Sequence, residues 1–372
     1  MFSRFYIYCA FFFTFFLLFS CKDGSKNKSA KFNLFSPIQY ANNFKLIAKS
    51  NYTELQIIDP EKGKIERKYA LLSAGQSPVL AVDVLPIQIP IKGLISLSAT
   101  PIGMLHKLHA IATVKGITHR KYVWNPTLLR NIAANRVGEF ENIAQLNPEK
   151  VLKTSVNVLV FDGFGSYPVV EDKLKKLGVV CLPNYDWREN DPLGKAEWIK
   201  LYGVLTGQEK EANRYFNKIT KEYKALKNQA LKNTQRTSLI SGGLIGDLWY
   251  MPAGNSYAAN IFRDAQLDYQ EKNSKGTGSV SFSLEHCLKT HKDASVWIDP
   301  GVSSLQALVR LNPKYRFFQA FKTKSIYCYS HNANYFWENS ACEPHHLLSD
   351  FIEIRKGAAS TKKLYFYRKL LE

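Results

Sequence analysis

From residue 93 to the C-terminus the chain alternates short apolar runs with amphipathic segments, and one long helical stripe interrupts that alternation. Across residues 208–232, Ala212, Tyr215, Phe216, Ile219, Tyr223, Leu226 and Ala230 fall on one face at 3.6-residue spacing. About 25 residues at the α-helical rise predict a rod of roughly 37 Å, longer than a helix inside one small α/β domain requires. Such a rod in mid-chain is expected to connect two bodies. Before it, apolar runs at 93–98, 112–117, 156–161 and 178–182 read as strands, and the segments from Pro101 and at 148–152, 169–177 and 193–205 read as helices. Thr100 or Ser98 can cap the helix that opens on Pro101. After the rod, strands are expected at 237–241, 295–298 and 325–329, and helices at 257–264, 283–289, 305–309 and 344–355. Strict strand–helix alternation specifies parallel sheets with helices on both faces.

The fold class expected is therefore α/β, with two Rossmann-like lobes joined by a long α-helix. The N-terminal lobe covers 92–207, the connecting helix 208–233 and the C-terminal lobe 234–372. Residues 31–91 read as a β-rich extension, with alternating runs around the turn at Asp59-Pro60 and Gly63. A weak repeat relates the lobes: Asn147-Pro148-Glu149 and Ser283-Leu284-Glu285 each open a short helix before a strand.

The first residues bear on compartment. Arg4 precedes an apolar run of about 14 residues, too short to span a bilayer, which ends Leu18-Phe19-Ser20-Cys21. This resembles a lipoprotein signal peptide over 1–20, with Cys21 as the lipidated residue and 21–30 as a polar tether. The formal charge of +19 becomes +18 once Arg4 leaves with the leader. Outside the cytosol that charge does not imply nucleic acid. Two readings of it stand: a solvated basic surface near anionic lipid, or a basic cleft that attracts an anionic ligand. Cys181, Cys287, Cys328 and Cys342 lack metal or redox spacing; one or two disulfides are open, with Cys328 and Cys342 the pair to test.

Further motifs occur in a familiar order. They are 93–105 with Thr100-Pro101 and Gly103, then Lys115-Gly116-Ile117-Thr118, 147–152, 193–200, Thr206-Gly207, Met251-Pro252-Ala253-Gly254-Asn255, and Phe336-Trp337-Glu338-Asn339. Over about residues 40–372 this order resembles the periplasmic binding proteins for ferric siderophores, haem and cobalamin, in a branch common among Bacteroidetes-type lipoproteins. The resemblance implies the class III fold, with ligand held between the lobes, and a partner ABC permease with its ATPase. It implies that Glu149 and Glu285, one per lobe, dock on permease arginines. It implies no resident cofactor, the ligand being an iron chelate, haem or cobalamin. A monomer anchored to the membrane in the periplasm is expected, inner or outer face undetermined.

Ligand sites in α/β sheets lie outside the carboxyl ends of strands. The residues after those ends are His119, Arg120, Tyr122 and Trp124; Phe164; Tyr185, Trp187 and Arg188; Trp249 and Tyr250; and Tyr335 and Trp337. Flat aromatic faces stack on porphyrin, corrin or catecholate rings, and arginine neutralises carboxylates. His119 and Tyr122 are types that ligate haem iron, although a lone loop histidine is more commonly a hydrogen-bonding residue. His345 and His346 fall in a helix's first turn and are not read as a metal pair. No catalytic constellation stands out. The rival readings are a chelatase-like enzyme on the same fold and a surface interaction lipoprotein working through 31–91.

Overall fold

The computed structural model describes residues 36–140, 146–164, 167–233, 236–330 and 334–372, all within one compact unit, Asn33–Glu372. The leader, the tether, Cys21 and Gly165 lie outside them. Strands β1 (Phe44–Ala48), β2 (Thr53–Ile58), β3 (Ile65–Leu72) and β4 (Val84–Gln88) form a four-stranded sheet in that order, β3 and β4 running parallel.

The N-terminal lobe follows as β5 (Leu94–Ser96), α1 (Thr100–Lys107), β6 (Val114–Ile117), α2 (Pro126–Ala133), β7 (Gly138–Glu139), α3 (Pro148–Leu152), β8 (Val158–Phe161), α4 (Glu171–Lys176), β9 (Val180–Pro183), α5 (Pro192–Glu197) and α6 (Ile199–Thr206). Its sheet, β7-β6-β5-β8-β9, is parallel throughout. The expected single helix over 193–205 is two, meeting at Trp198, whose ψ of −21° is on the 3₁₀ side of helical geometry.

The rod is α7 (Glu209–Leu231), 23 residues long. Ala212, Phe216, Ile219, Tyr223 and Ala230 are buried on its inner face, and Tyr215 and Leu226 pack beside them. Gly207, at φ 70°, stops α6 just before it, a left-handed position that glycine occupies without strain.

The C-terminal lobe runs β10 (Thr237–Ser241), β11 (Gly243–Ile245), β12 (Leu248–Pro252), α8 (Tyr257–Asp264), β13 (Leu267–Tyr269), β14 (Ser279–Phe282), α9 (Leu284–Thr290), β15 (Val296–Ile298), α10 (Leu305–Leu311), α11 (Gln319–Lys322), β16 (Ile326–Tyr329), α12 (Phe336–Asn339), α13 (Pro344–Lys356) and β17 (Tyr367–Lys369). Its main sheet is β13-β10-β15-β16-β17, parallel except for β17. A separate antiparallel sheet, β11-β12-β14, was not foreseen. Helix starts are set locally: Asn125, Asn147, Asp191, Ser256, Ser283 and Ser304 each accept a first-turn N–H.

Of the two possibilities left open for the cysteines, the structure shows free thiols, and Cys328 and Cys342 are not bridged. Cys181, Cys287, Cys328 and Cys342 are free and buried. Burial pushes the thiols of Cys181, Cys287 and Cys328 up to about 12, so they act as small inert core residues.

Two buried carboxylates fasten the segment before β1 to the N-terminal lobe. Glu197, fully buried, accepts the backbone N–H groups of Gln39, Tyr40 and Ala41 at 2.7–3.0 Å and pairs with Lys200 at 2.6 Å. Glu189 accepts the N–H groups of Asn42 and Asn43 and the Trp198 indole. Removing one member of such a buried pair strands the other and several donors. Glu197→Ala should lower unfolding free energy by about 3–5 kcal/mol in urea denaturation. A loss below about 1 kcal/mol would mean the segment is held elsewhere.

Candidate functional site

The strand ends of β5 and β6 and the start of α12 enclose a cavity of ≈700 Å³, lined by Leu97, Ser98, Ala99, Thr118, Lys121, Tyr122, Trp124 and Trp337. Seven of these come from the N-terminal lobe and Trp337 from the C-terminal one, so the cavity lies between the lobes. Tyr122 and Trp337 are about half exposed, and Trp124 is partly covered. Lys121 Nζ sits 4.9 Å above the Tyr122 ring centre. Trp337 is set edge-on to Tyr329 at 5.1 Å and to Phe336 at 5.3 Å. Such a surface can hold a large flat or aromatic ligand by stacking, with one ammonium beside it.

The walls are latched together. Glu338, buried on α12, accepts the N–H groups of Trp124 and Asn125 at 2.7 and 3.0 Å. Burial raises its carboxyl above the ordinary value, and the two donors oppose that shift. Beside it α1 and α12 touch backbone to backbone: a Cβ at Gly103 would fall 1.7 Å from the Glu338 carbonyl oxygen. Only glycine permits that approach. Lys107 of α1 then pairs with Glu343 at 2.7 Å, at the foot of α13. None of Gly103, Glu338 or Glu343 was singled out as a site residue. The available signal was that Gly103 and Glu338 fall within the quoted motifs 93–105 and Phe336-Trp337-Glu338-Asn339.

The other strand-exit residues divide. His119 Nδ1 accepts the Lys121 N–H at 3.1 Å, and Arg120 donates its backbone N–H to Glu139 at 2.9 Å. Both side chains are exposed and outside the cavity lining, with His119 edge-on to Tyr122 at 6.2 Å. Phe164 and Trp187 form a second aromatic pair at 6.1 Å, with the Trp187 indole donating to Asp162 O. Arg188 covers Trp187 at 5.2 Å and pairs with Glu61 of the extension at 3.3 Å. Tyr185 is buried against Gly163. Tyr335, at φ 55°, starts α12 and is not in the lining.

Trp249 requires a correction. It lies fully buried on β12, stacked on Trp297 at 5.1 Å and packed by Tyr315 and Phe318. Tyr250, its neighbour on the strand, is exposed on the opposite face. Two adjacent strand residues cannot both face one cleft, and β12 was not among the strands expected from the sequence. Glu149 and Glu285 are exposed on α3 and α9, and Glu285 pairs with Lys314 at 3.3 Å.

Two parallel-sheet lobes on one long helix, with a cavity at their strand exits, are the architecture of a bilobed binding protein. Residues 94–333 match the periplasmic binding protein family, and the chain belongs to it. It is 28% identical to an uncharacterized lipoprotein of Methanocaldococcus jannaschii over 76% of this chain and 70% of that one. Among solved structures it is similar to the periplasmic heme binding protein of Vibrio cholerae, at 13% identity and TM-score 0.56, covering 69% of this chain and 97% of that one. It is also similar to an ABC-type Fe3+-hydroxamate transport protein of Saccharomonospora viridis, at 18% identity and TM-score 0.53, covering 72% and 94%. At these identities the two structures establish the fold.

Trp249→Ala should cost about 3–5 kcal/mol of stability as a core truncation, whereas Tyr250→Ala should stay within about 0.5 kcal/mol. Chemical denaturation of both variants decides it. Equal stabilities would return Trp249 to the surface.

Proposed function

We propose that this chain is the lipid-anchored substrate-binding component of an ABC importer, which takes a ferric siderophore, haem or cobalamin between its lobes and delivers it to the permease. The observation that carries the reading is the ≈700 Å³ cavity with Tyr122, Trp124 and Trp337 on its walls and Lys121 beside them. Its size suits a bulky chelate. The latch through Glu338 keeps the walls in place without ligand, which favours a rigid cargo. The heme-binding and hydroxamate-transport proteins of similar fold support the ligand class, and the leader ending in Cys21 supports anchoring outside the cytoplasm. Among the described residues, no helix is long and apolar enough to cross a membrane.

Tryptophan-fluorescence titration with ferric siderophores, haem and cobalamin tests the ligand class. One class should quench saturably, and Tyr122→Ala and Trp337→Ala should each weaken it about tenfold, the equivalent of ~1.4 kcal/mol of stacking. Absence of quenching by all three, or unchanged affinity in both variants, would reject this cavity as the site.

Glu149 and Glu285 are the proposed contacts to the permease. Both are exposed, on the first turns of corresponding helices of the two lobes, and paired carboxylates of this kind orient a body on a basic partner. Reversing both to lysine should abolish uptake in cells while leaving ligand affinity unchanged. Loss of affinity together with uptake would remove the docking role.

A further inference from the structure

Away from the cavity, the C-terminal lobe gathers Glu271, His286 and His291, one donor atom of each lying within 4.8 Å of the others. Glu271 lies just beyond the end of β13. His286 is in α9, and His291 closes that helix as its C-cap. We propose that these three side chains bind one divalent cation of the zinc class, with water completing the coordination.

His291 carries the argument. Its side chain is 7% exposed, and its Nε2 is 3.0 Å from Glu271 Oε1. Nε2 meets that carboxylate off the line of a full hydrogen bond, and Nδ1 has no well-aligned partner among the described residues. A buried imidazole without well-aligned hydrogen bonds is costly, and native proteins seldom leave one so. A cation on Nε2 would use the lone pair, and the Glu271 carboxylate would balance the charge.

His286 completes the set from the solvent side. Its ring lies flat on Phe282 at 4.7 Å and 10°, and it meets His291 edge-on at 5.8 Å. Ser283 Oγ caps the helix by accepting the His286 N–H at 3.1 Å. Tetrahedral zinc with bonds near 2.0–2.2 Å separates its ligand atoms by about 3.4 Å. The His291–Glu271 pair is already near that spacing. An exposed His286 needs only a side-chain rotation to close the remaining ~1.4 Å.

Two imidazoles and one carboxylate suit zinc or a neighbouring transition metal. Calcium and magnesium call for more oxygen ligands than are gathered here. A bound ion would tie the residue after edge strand β13 to α9, the helix that carries Glu285. The inference does not depend on which ligand fills the cavity.

The test is calorimetric titration of zinc chloride into the purified full-length chain in detergent, after chelator treatment. One zinc per chain is expected at micromolar affinity or tighter. His286→Ala, an exposed change that leaves the fold intact by circular dichroism, should weaken it by at least about tenfold, as should Glu271→Gln. The proposal is overturned if zinc does not bind stoichiometrically. It is overturned equally if both variants bind like wild type, since other histidines would then hold the ion.

Discussion

The contact on which the site depends is the one between α1 and α12, where the lobes meet without side chains between them. Gly103 lets the helix leaving β5 lie against the Glu338 carbonyl, and Glu338 turns its carboxylate to the loop after β6. One residue therefore holds both walls of the cavity: its backbone against α1, its side chain on the N–H groups of Trp124 and Asn125. A carboxylate in a buried position is unfavourable unless hydrogen-bonded, and here the donors belong to the lining itself. Wall and latch form together or not at all. Hinge motion at this edge would expose two N–H groups and strand a buried acid. The long α7, packed on α6 and α13, discourages the same motion from the other side of the core.

The β-rich extension is part of the same body. Phe44, Leu55, Ile57 and Tyr69 share one apolar cluster with residues of both lobes. The Tyr69 hydroxyl donates to the Cys181 carbonyl at 2.7 Å, and Arg67 pairs with Glu171 at 2.9 Å. Glu189 and Glu197 gather the chain just ahead of β1. The sheet's inner face is thus committed to supporting the N-terminal lobe, and its partners explain why charged residues sit where burial would otherwise exclude them.

What could be read from the chain itself was periodic. The α7 stripe was legible because seven apolar residues repeat over about five turns, and the lobes were legible because strands and helices alternate. Strand exits were legible too, which placed Tyr122, Trp124 and Trp337 at the cavity. Trp249 misled because β12 belongs to an antiparallel sheet whose short strands, β11 and β14, carry little alternation of their own. The cysteines stayed undecided for another reason: spacing does not reveal burial, so bridges and buried free thiols were both open for Cys181, Cys287, Cys328 and Cys342. Glu338 and Glu197 stood inside quoted motifs, but their buried roles were not legible. Their backbone N–H partners lie more than 150 residues away, and an acid that will be buried reads like one that will be solvated. His286 and His291 escaped because the third member, Glu271, comes from another element.

The positive charge can now be located relative to the site. Among the described residues lining the cavity the cation is Lys121, while lysines crowd exposed helices such as α4, with Lys173, Lys175 and Lys176. Most of the net charge therefore acts on a ligand from a distance. Charges spread over a surface raise the encounter rate of an anionic chelate, an effect that falls with ionic strength as the Debye length shortens. Stacking on the aromatic walls is short-ranged and nearly indifferent to salt. On the proposed function the two stages would separate physically: the surface would govern how fast an anionic cargo arrives, and Tyr122, Trp124 and Trp337 how long it stays. A neutral chelate would use the second stage alone, so net charge argues for rapid capture of anions without fixing which ring system the cavity retains.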